Sequence, residues 1–399
     1  LDLRQAWARL AQADAALRVQ ESRRWPILVG TGSSDVGAAY VNPEGLPNAR
    51  TSFSTLAGGV NAAYEIDLFG HVTRSIEAAT ADAERAARLT DALLIAVRSE
   101  LALAYIELRA LQERESTLLG HIAHQRETVR FMTEERSPRT IEADVALARR
   151  SLAESEAALP PLRFLQRGAK SRIAVLAGRL PTDYDELLEP EGAVPVAPDR
   201  FAVGLPADVL RRRPDLRAAE RRVAAESARI GVEMAELYPR FSLNGALAAS
   251  AFHTDNGDTT ARSAGVGPAF RWNLFNAGRV RSFIDAQDAR AEEALLAYEQ
   301  AVLRAMEQVE NGLAVYLGEQ EGLAATIRAA DEARVAARLF GEEYRTSDVR
   351  ARALVQGERE NRVLDDLEIV ARSRVASAYV ALCRDLGGGY DPRPLEEAP

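Results

Sequence analysis

The chain has 399 residues, 47% hydrophobic and 27% charged, a balance that supports a buried core and excludes a disordered chain. Mean hydropathy is −0.19, and no run approaches the roughly 18 apolar residues of a membrane helix, so a helical transmembrane protein is excluded. The net charge of −9 speaks against a nucleic-acid binder, and the single cysteine, Cys383, leaves no intrachain disulfide to form.

The chain opens on "LDLRQAWARL", already helical in pattern and without a visible signal peptide. Strands are predicted over 27–36 and 52–68. The first alternates weakly. In the second, Leu56, Val60, Ala62, Tyr64, Ile66 and Leu68 share one face, and Thr55, Asn61, Glu65 and Asp67 the other. Period two with one polar face predicts half-buried antiparallel strands. Each has at least the roughly 9–11 residues a tilted strand needs to cross a bilayer.

From Gly70 the pattern turns helical. Ile76, Ala79, Ala83, Ala86, Thr90, Leu93 and Val97 step 3-4-3-4-3-4, and after one slip Leu101, Ala104, Leu108, Leu111, Leu118, Ile122, Val129 and Met132 continue the stripe. Gly70 to Arg136 spans roughly 100 Å of helix. Pro138 breaks it, and a return helix runs to Gly178 and Pro181. The prediction is a long helical hairpin over 70–178 with its tip near Ser137 and Pro138.

After a Pro- and Glu-containing connector (189–206) the plan recurs. Residues 2–28 match 215–241 in register, with Pro26 opposite Pro239. Strands follow at 241–251 and 263–274. In the first, Phe241, Leu243 and Leu247 oppose Ser242, Asn244, Ala248 and Ser250. In the second, Ala264, Val266, Phe270, Trp272 and Leu274 oppose Ser263, Gly265, Arg271 and Asn273. A second hairpin (278–387) has its tip near 344–350 and a return stripe of Leu364, Leu367, Ala371, Val375, Ala378, Leu382 and Leu386. The chain therefore reads as a tandem duplication: a first repeat over 1–188, a connector, and a second repeat over 207–399.

Periodicity alone leaves two readings of the strands: a soluble sheet covered by helices, or part of a membrane barrel. A barrel needs at least about eight strands. Four per chain cannot close alone, so the membrane reading requires several copies in one ring-shaped homo-oligomer.

"LPADVLRRRPDLRAAERRVAAESARIGVEMAELYPRFSLNG" (205–245) resembles the signature of the TolC-like outer membrane factors, and more narrowly the NodT-type outer-membrane components of RND efflux pumps. "YEIDLFGHVTRSIEAA" and "FRWNLFNAGRVRS" resemble that family's strand-to-helix junctions, and "YVALCRDLGGGYDP" its C-terminal ending. The resemblance implies an α+β membrane protein without enzymatic chemistry or cofactor. Three chains would supply a twelve-stranded outer-membrane barrel continuous with a periplasmic α-helical barrel. The connector and chain ends would form an equatorial belt. Implied partners are outer-membrane lipid, a periplasmic adaptor (membrane fusion) protein and an RND inner-membrane transporter. A coiled-coil scaffold with a soluble β cap, or the duct of a type I protein secretion system, is the alternative.

The chain departs from the family pattern in places. Members commonly carry a lipid-bearing N-terminal Cys, so any anchor is expected outside this chain or not at all. Pro138 and Ser347 stand where the tips usually have Gly. Gln356 replaces an acid that narrows the aperture in many relatives, and Arg350 sits where an acid is frequent.

Two groups of candidate residues follow from the resemblance. The first is the gate and adaptor-docking tips: Arg136, Ser137, Pro138, Arg139 and Thr140 at one turn, Tyr344, Arg345, Ser347, Asp348 and Arg350 at the other, with Gln356 beyond it. The second is the strand-to-helix junctions: Phe69, Gly70, Phe275 and Gly278. The glycines are expected to let the chain turn without a side-chain clash.

Other polar features read as structural. His121 and His124 share a helix face but lack the companions of a known metal motif. Cys383 reads as a small buried helix residue. Arg211, Arg212 and Arg213, ahead of Pro214 and Asp215, read as an ion-pairing helix start rather than a phosphate patch. No catalytic constellation or metal site is predicted.

Overall fold

The structure, a computed structural model, describes residues 1–41, 49–134, 141–183, 188, 192–198, 212–255, 257–346 and 351–388. The elements in chain order are α1 (Asp2–Glu21), a 3-10 turn (Ser22–Arg24), β1 (Ile27–Val41), β2 (Ala49–Ile66), α2 (His71–Glu134) and α3 (Glu142–Leu176). They are followed by α4 (Pro214–Ala235), β3 (Arg240–Thr254), β4 (Gly257–Arg271), α5 (Arg279–Thr346) and α6 (Ala351–Asp385). The 64 residues of α2 and 68 of α5 each make roughly 100 Å of helix. The same order, helix, two strands, two helices, runs twice.

The chain divides into two compact units, and each draws on both halves of the sequence. One contains Leu1–Gln5, Thr90–Leu216 and Ala301–Pro399; the other contains Ala6–Leu89 and Arg217–Gln300.

The second unit holds one antiparallel sheet, ordered β1-β2-β3-β4. Its register aligns the alternating patterns across strands. Val60 faces Leu247, which faces Ala264; Tyr64 faces Leu243; Ile66 faces Phe241, which faces Phe270. On the other face Asn61 faces Ala246 and Gly265 follows, while Glu65, Ser242 and Ala269 form another row. One face is thus large and apolar, the other small and polar. The strands run 15 to 18 residues; β1, β3 and β4 are longer than predicted, and β2 is nearly the predicted length but starts and ends earlier. They extend toward the loop ends, where small residues blur the alternation; Gly37 and Ala38 of β1, for example, pair with Phe53 and Ser52. At the other end they stop sooner: β2 ends at Ile66 and β4 at Arg271, so Leu68, Trp272 and Leu274 lie beyond the ladder.

In the same unit, α4 is tied by charges to α2 and α5 about three to four turns after each begins. Arg229 pairs with Asp82, Arg221 with Glu84 at 3.2 Å, and Arg222 with Glu293 at 3.0 Å.

In the other unit, α2 packs on α3 through Leu108, Leu111, Leu118 and Ile122 against Leu162, Ala169 and Ile173. Of the coiled-coil stripe read from sequence, Ile76, Ala83, Thr90, Ala104, Leu108, Leu111, Leu118, Ile122 and Met132 are buried, Ala79, Ala86, Leu93, Val97 and Val129 are half-buried, and Leu101 is 37% exposed. On α6, Leu367 points out while Ile369 is buried, because α6 presents that residue to Ile106 and Ala110 of α2. Helix α3 continues through Pro160 and Pro161, at the cost of backbone donors. The described part of the connector packs down: Val194 donates its amide to Glu113 at 3.0 Å and is buried with Ile106 and Ile369. Tyr316 bonds the Pro198 carbonyl.

Candidate functional site

The strand-to-helix junctions of the sheet unit are built by backbone geometry. Gly70 has φ +80° and Gly278 φ +83°, a region that L residues with side chains avoid. A Cβ at Gly278 would meet nothing within 4 Å, and one at Gly70 only Arg74 Cγ at 3.8 Å. Space is therefore available, and what glycine supplies is the sign of φ rather than the absence of a clash. The second junction is longer: Asn276 and Ala277 stand between Phe275 and Gly278, and Ala277 also has a positive φ of 50°.

Asp67 starts α2. Its carboxylate accepts from the amides of Val72 (3.0 Å) and Thr73 (2.8 Å) and from the Thr73 hydroxyl (2.7 Å), satisfying orphan donors of the first turn. Burial opposes ionisation, but the Thr73 and Val72 hydrogen bonds prevail and hold Asp67 below the usual carboxylate value. A depressed folded value means this contribution is complete above the ordinary aspartate range and is lost as pH falls through the folded value. Asp67→Ala is expected to lower thermal stability by about 0.5–2 kcal/mol at neutral pH and to flatten the acid limb of a melting-temperature profile. An unchanged acid limb would mean that the cap carries no such linkage.

Sequence reasoning did not single out Asp67 or its neighbour His71. Arg240 donates to His71 Nε2 at 2.7 Å, while Nδ1 lies 3.5 Å from Glu65. Burial, and then the Arg240 charge, push the imidazole below its ordinary value against the pull of Glu65. The local signal, an Asp six residues before Thr73, marks a helix cap only once the end of β2 at Ile66 is known. The His71 cluster draws partners from positions 23, 65, 236 and 240, which no local pattern reveals.

Aromatic side chains gather where the strands end. Phe69 stacks on Tyr238 with centroids 4.6 Å apart, Phe241 lies 6.0 Å from Phe270, and Trp272 donates its indole N–H to the Leu237 carbonyl at 3.0 Å. Phe275 is 90% exposed. An exposed apolar face edged by aromatics is the pattern of a lipid-facing sheet.

In the helical unit, Tyr344 is packed among Met132, Ala148, Leu354 and Val355, edge-on to Phe131. Gln356 is exposed and donates to Glu360 at 2.7 Å. Arg136, Ser137, Pro138, Arg139, Thr140, Ser347, Asp348 and Arg350, and the side chain of Arg345, lie outside the described residues.

The histidine pair on α2 meets acids on α6. His121 Nε2 is 2.9 Å from Asp365, and His124 is 3.3 Å from the buried Glu358, which also accepts from Thr128 at 2.7 Å. Burial works against Asp365, yet the His121 hydrogen bond and the Arg334 charge bring its carboxyl below the usual range. No group of three or more His, Cys, Asp or Glu could hold a metal among the described residues.

Arg213 is buried and pairs with Asp215 at 2.8 Å, also donating to Gln308 and to the Asp385 carbonyl. For Arg213 that arrangement is the ion-pairing reading of the arginine run, while Arg211 lies outside the described residues. Cys383 is half-buried, and burial pushes its thiol up, which suits a packed residue rather than a nucleophile.

The family model described as Outer membrane efflux protein matches residues 1–179 and again 205–384. The chain is 28% identical to Nodulation protein T of Rhizobium leguminosarum bv. trifolii, over 98% of this chain and 84% of that one. It is 27% identical to Toluene efflux pump outer membrane protein TtgF of Pseudomonas putida, over 98% and 81%. The solved structure of the outer-membrane channel OprN aligns with TM-score 0.86 and 34% identity, covering 97% of this chain and 87% of that one.

Proposed function

The chain belongs to the outer membrane efflux protein family, and from that membership we propose that it is the outer-membrane exit duct of a tripartite efflux pump. It resides in the outer membrane and conducts substrates passively, without catalysis. The observation that carries this reading is the sheet: four strands with one large apolar face and one small polar face, with both edges, β1 and β4, open. An apolar face suits lipid and a small polar face suits a water-filled lumen.

Three copies would close twelve strands into one barrel, and their helices would form the periplasmic tunnel. The repeated element order and the twofold family match support a duplicated protomer, with repeats over 1–188 and 207–399 and the connector between them in the equatorial belt. A periplasmic adaptor and an RND transporter of the inner membrane would complete the pump. TtgF, by its name a pump component, supports that assignment.

The tips, Arg136 to Thr140 and Tyr344 to Arg350, would close the periplasmic end at rest and dock the adaptor. Gln356 in place of an acid would weaken cation binding there. Purified protein in detergent is expected to have the mass of three chains and to conduct ions in planar bilayers. Replacing Tyr344 and Arg345 together is expected to raise resting conductance. A monodisperse monomer that needs no detergent would instead support the scaffold reading, and a double variant just as closed as the native channel would remove these residues from the gate.

A further inference from the structure

Within the helical unit, α2, α3 and α6 border a cleft of about 300 Å³. One wall is apolar: Leu118 of α2 with Ala158, Pro161, Leu162 and Leu165 of α3. The polar lining comes from the other two helices: Arg114, Thr117 and His121 of α2, Arg362 and Asp366 of α6. An apolar wall with a few polar groups is the make-up of a small-molecule pocket, and the volume lies at the lower bound for one. The wall is also stiff. Pro161 has a fixed ring, and Leu118 and Leu162 are buried in the α2–α3 contact, so a ligand has little to order on arrival.

The charges in the lining do not balance. Arg114 is spent on Asp366, through Nε at 2.6 Å and Nη2 at 3.0 Å. His121 Nε2 lies 2.9 Å from Asp365, which also accepts from Arg334 at 2.8 Å. Arg362 is not spent. It is half-buried, its Nε is buried without a hydrogen-bond partner, and it makes no ion pair among the described residues. The Glu154 carboxylate feels the Arg362 charge, but it bonds Arg150 at 2.8 Å and pairs with Arg359 at 3.6 Å. Two arginines and one carboxylate therefore line the cleft, and one guanidinium is left over.

That remainder selects the ligand. A half-buried guanidinium has given up part of its hydration and gained no acceptor, which is costly. Its two terminal nitrogens can donate in parallel to both oxygens of one carboxylate. An inorganic anion would satisfy Arg362 and leave the leucine wall wet. A neutral apolar molecule would cover the wall and leave the charge unpaired. A dianion would bring a second negative charge toward Asp366.

We propose that this cleft binds a small amphipathic monocarboxylate, an aromatic or short aliphatic acid. Its carboxylate sits on Arg362 and its apolar body lies against Leu118, Leu162 and Leu165. All of these residues belong to one chain, so the site does not depend on the ring proposed above. The bound acid bridges α6 to α3, and occupancy raises the stability of the helical unit by mass action.

The test is calorimetric titration of full-length protein in detergent with naphthoate, against a matched detergent blank. Naphthalenemethanol serves as the uncharged probe. Naphthoate is expected to bind once per chain, about tenfold or more tightly than the alcohol, because the alcohol forms no charge-assisted pair. Arg362→Gln is expected to weaken naphthoate about tenfold or more and to leave the alcohol unchanged. Leu165 is 46% exposed at the rim, so Leu165→Trp fills the cleft without disturbing the core and is expected to weaken both probes severalfold. Circular dichroism reports whether each variant keeps its helicity. Three results would overturn the site: no binding to the native protein at millimolar naphthoate, equal affinity for acid and alcohol, or naphthoate binding that survives Leu165→Trp. The second would mean partition onto apolar surface or micelle alone. If Arg362→Gln loses helicity, Leu165→Trp and the uncharged probe still decide.

Discussion

Valine at both Gly70 and Gly278 is expected to abolish stable oligomers in the outer membrane, while valine at Gly120 leaves them intact. Gly70 and Gly278 hold φ of +80° and +83°. A left-handed conformation costs an ordinary L residue roughly 1–2 kcal/mol, and a β-branched one more. The backbone cannot easily relax instead. β2 is laddered on both sides, to β1 and β3, and the first turn of α2 is held by Asp67. Moving φ at Gly70 would swing α2 away from Arg229 and Arg221 of α4, which pair with Asp82 and Glu84. In the proposed trimer the strain is counted at every junction. Gly120 sits inside α2 with nothing within 4 Å of a Cβ and no positive φ, so it reports the effect of bulk alone. The measurement is the yield of SDS-resistant oligomer from isolated outer membranes. Normal yield from the double variant would mean that the junctions do not set assembly.

Leu108→Ala is expected to cost about 2–5 kcal/mol. Leu108 is 0% exposed at the centre of the α2–α3 contact, with Leu111, Leu118, Leu162, Ala169 and Ile173 around it. Those neighbours sit on two long helices, α2 and α3, whose backbones cannot collapse locally into the space. Leu101→Ala removes the same atoms from a position 37% exposed and is expected to cost less than half as much, because less apolar area leaves water on folding. Thermal unfolding followed by circular dichroism in detergent separates them. Equal losses would place the stabilising contact elsewhere.

Much of the fold is legible because it is periodic. The 3-4 steps from Ile76 through Met132 specify a helix face, and that face is the buried one at Ile76, Ala83, Ala104, Leu108, Leu118, Ile122 and Met132. The two alternating runs that end at Ile66 and begin at Phe241 likewise pair in register. Strand length was less legible, since alternation fades where both faces carry small residues. Helix α3 was legible as a helix only because its flanks outweigh Pro160 and Pro161.

At the junctions, the glycines were visible in the sequence, but their reason was not. Clash and positive φ both favour glycine, and only the backbone torsions distinguish them. The capping role of Asp67 required knowing that the strand ends at Ile66, one residue before it.

By itself the sequence determined which segments are helices and strands, which of their faces are apolar, and that four strands fall short of a closed barrel. Those properties follow from 3.6- and 2-residue repeats, which depend only on local backbone geometry. The tertiary structure alone decided which charges find partners: Arg114 with Asp366, His121 with Asp365, Arg213 with the end of α6. Partners more than a hundred residues apart meet only once the helices have packed, so no period in the sequence can encode them.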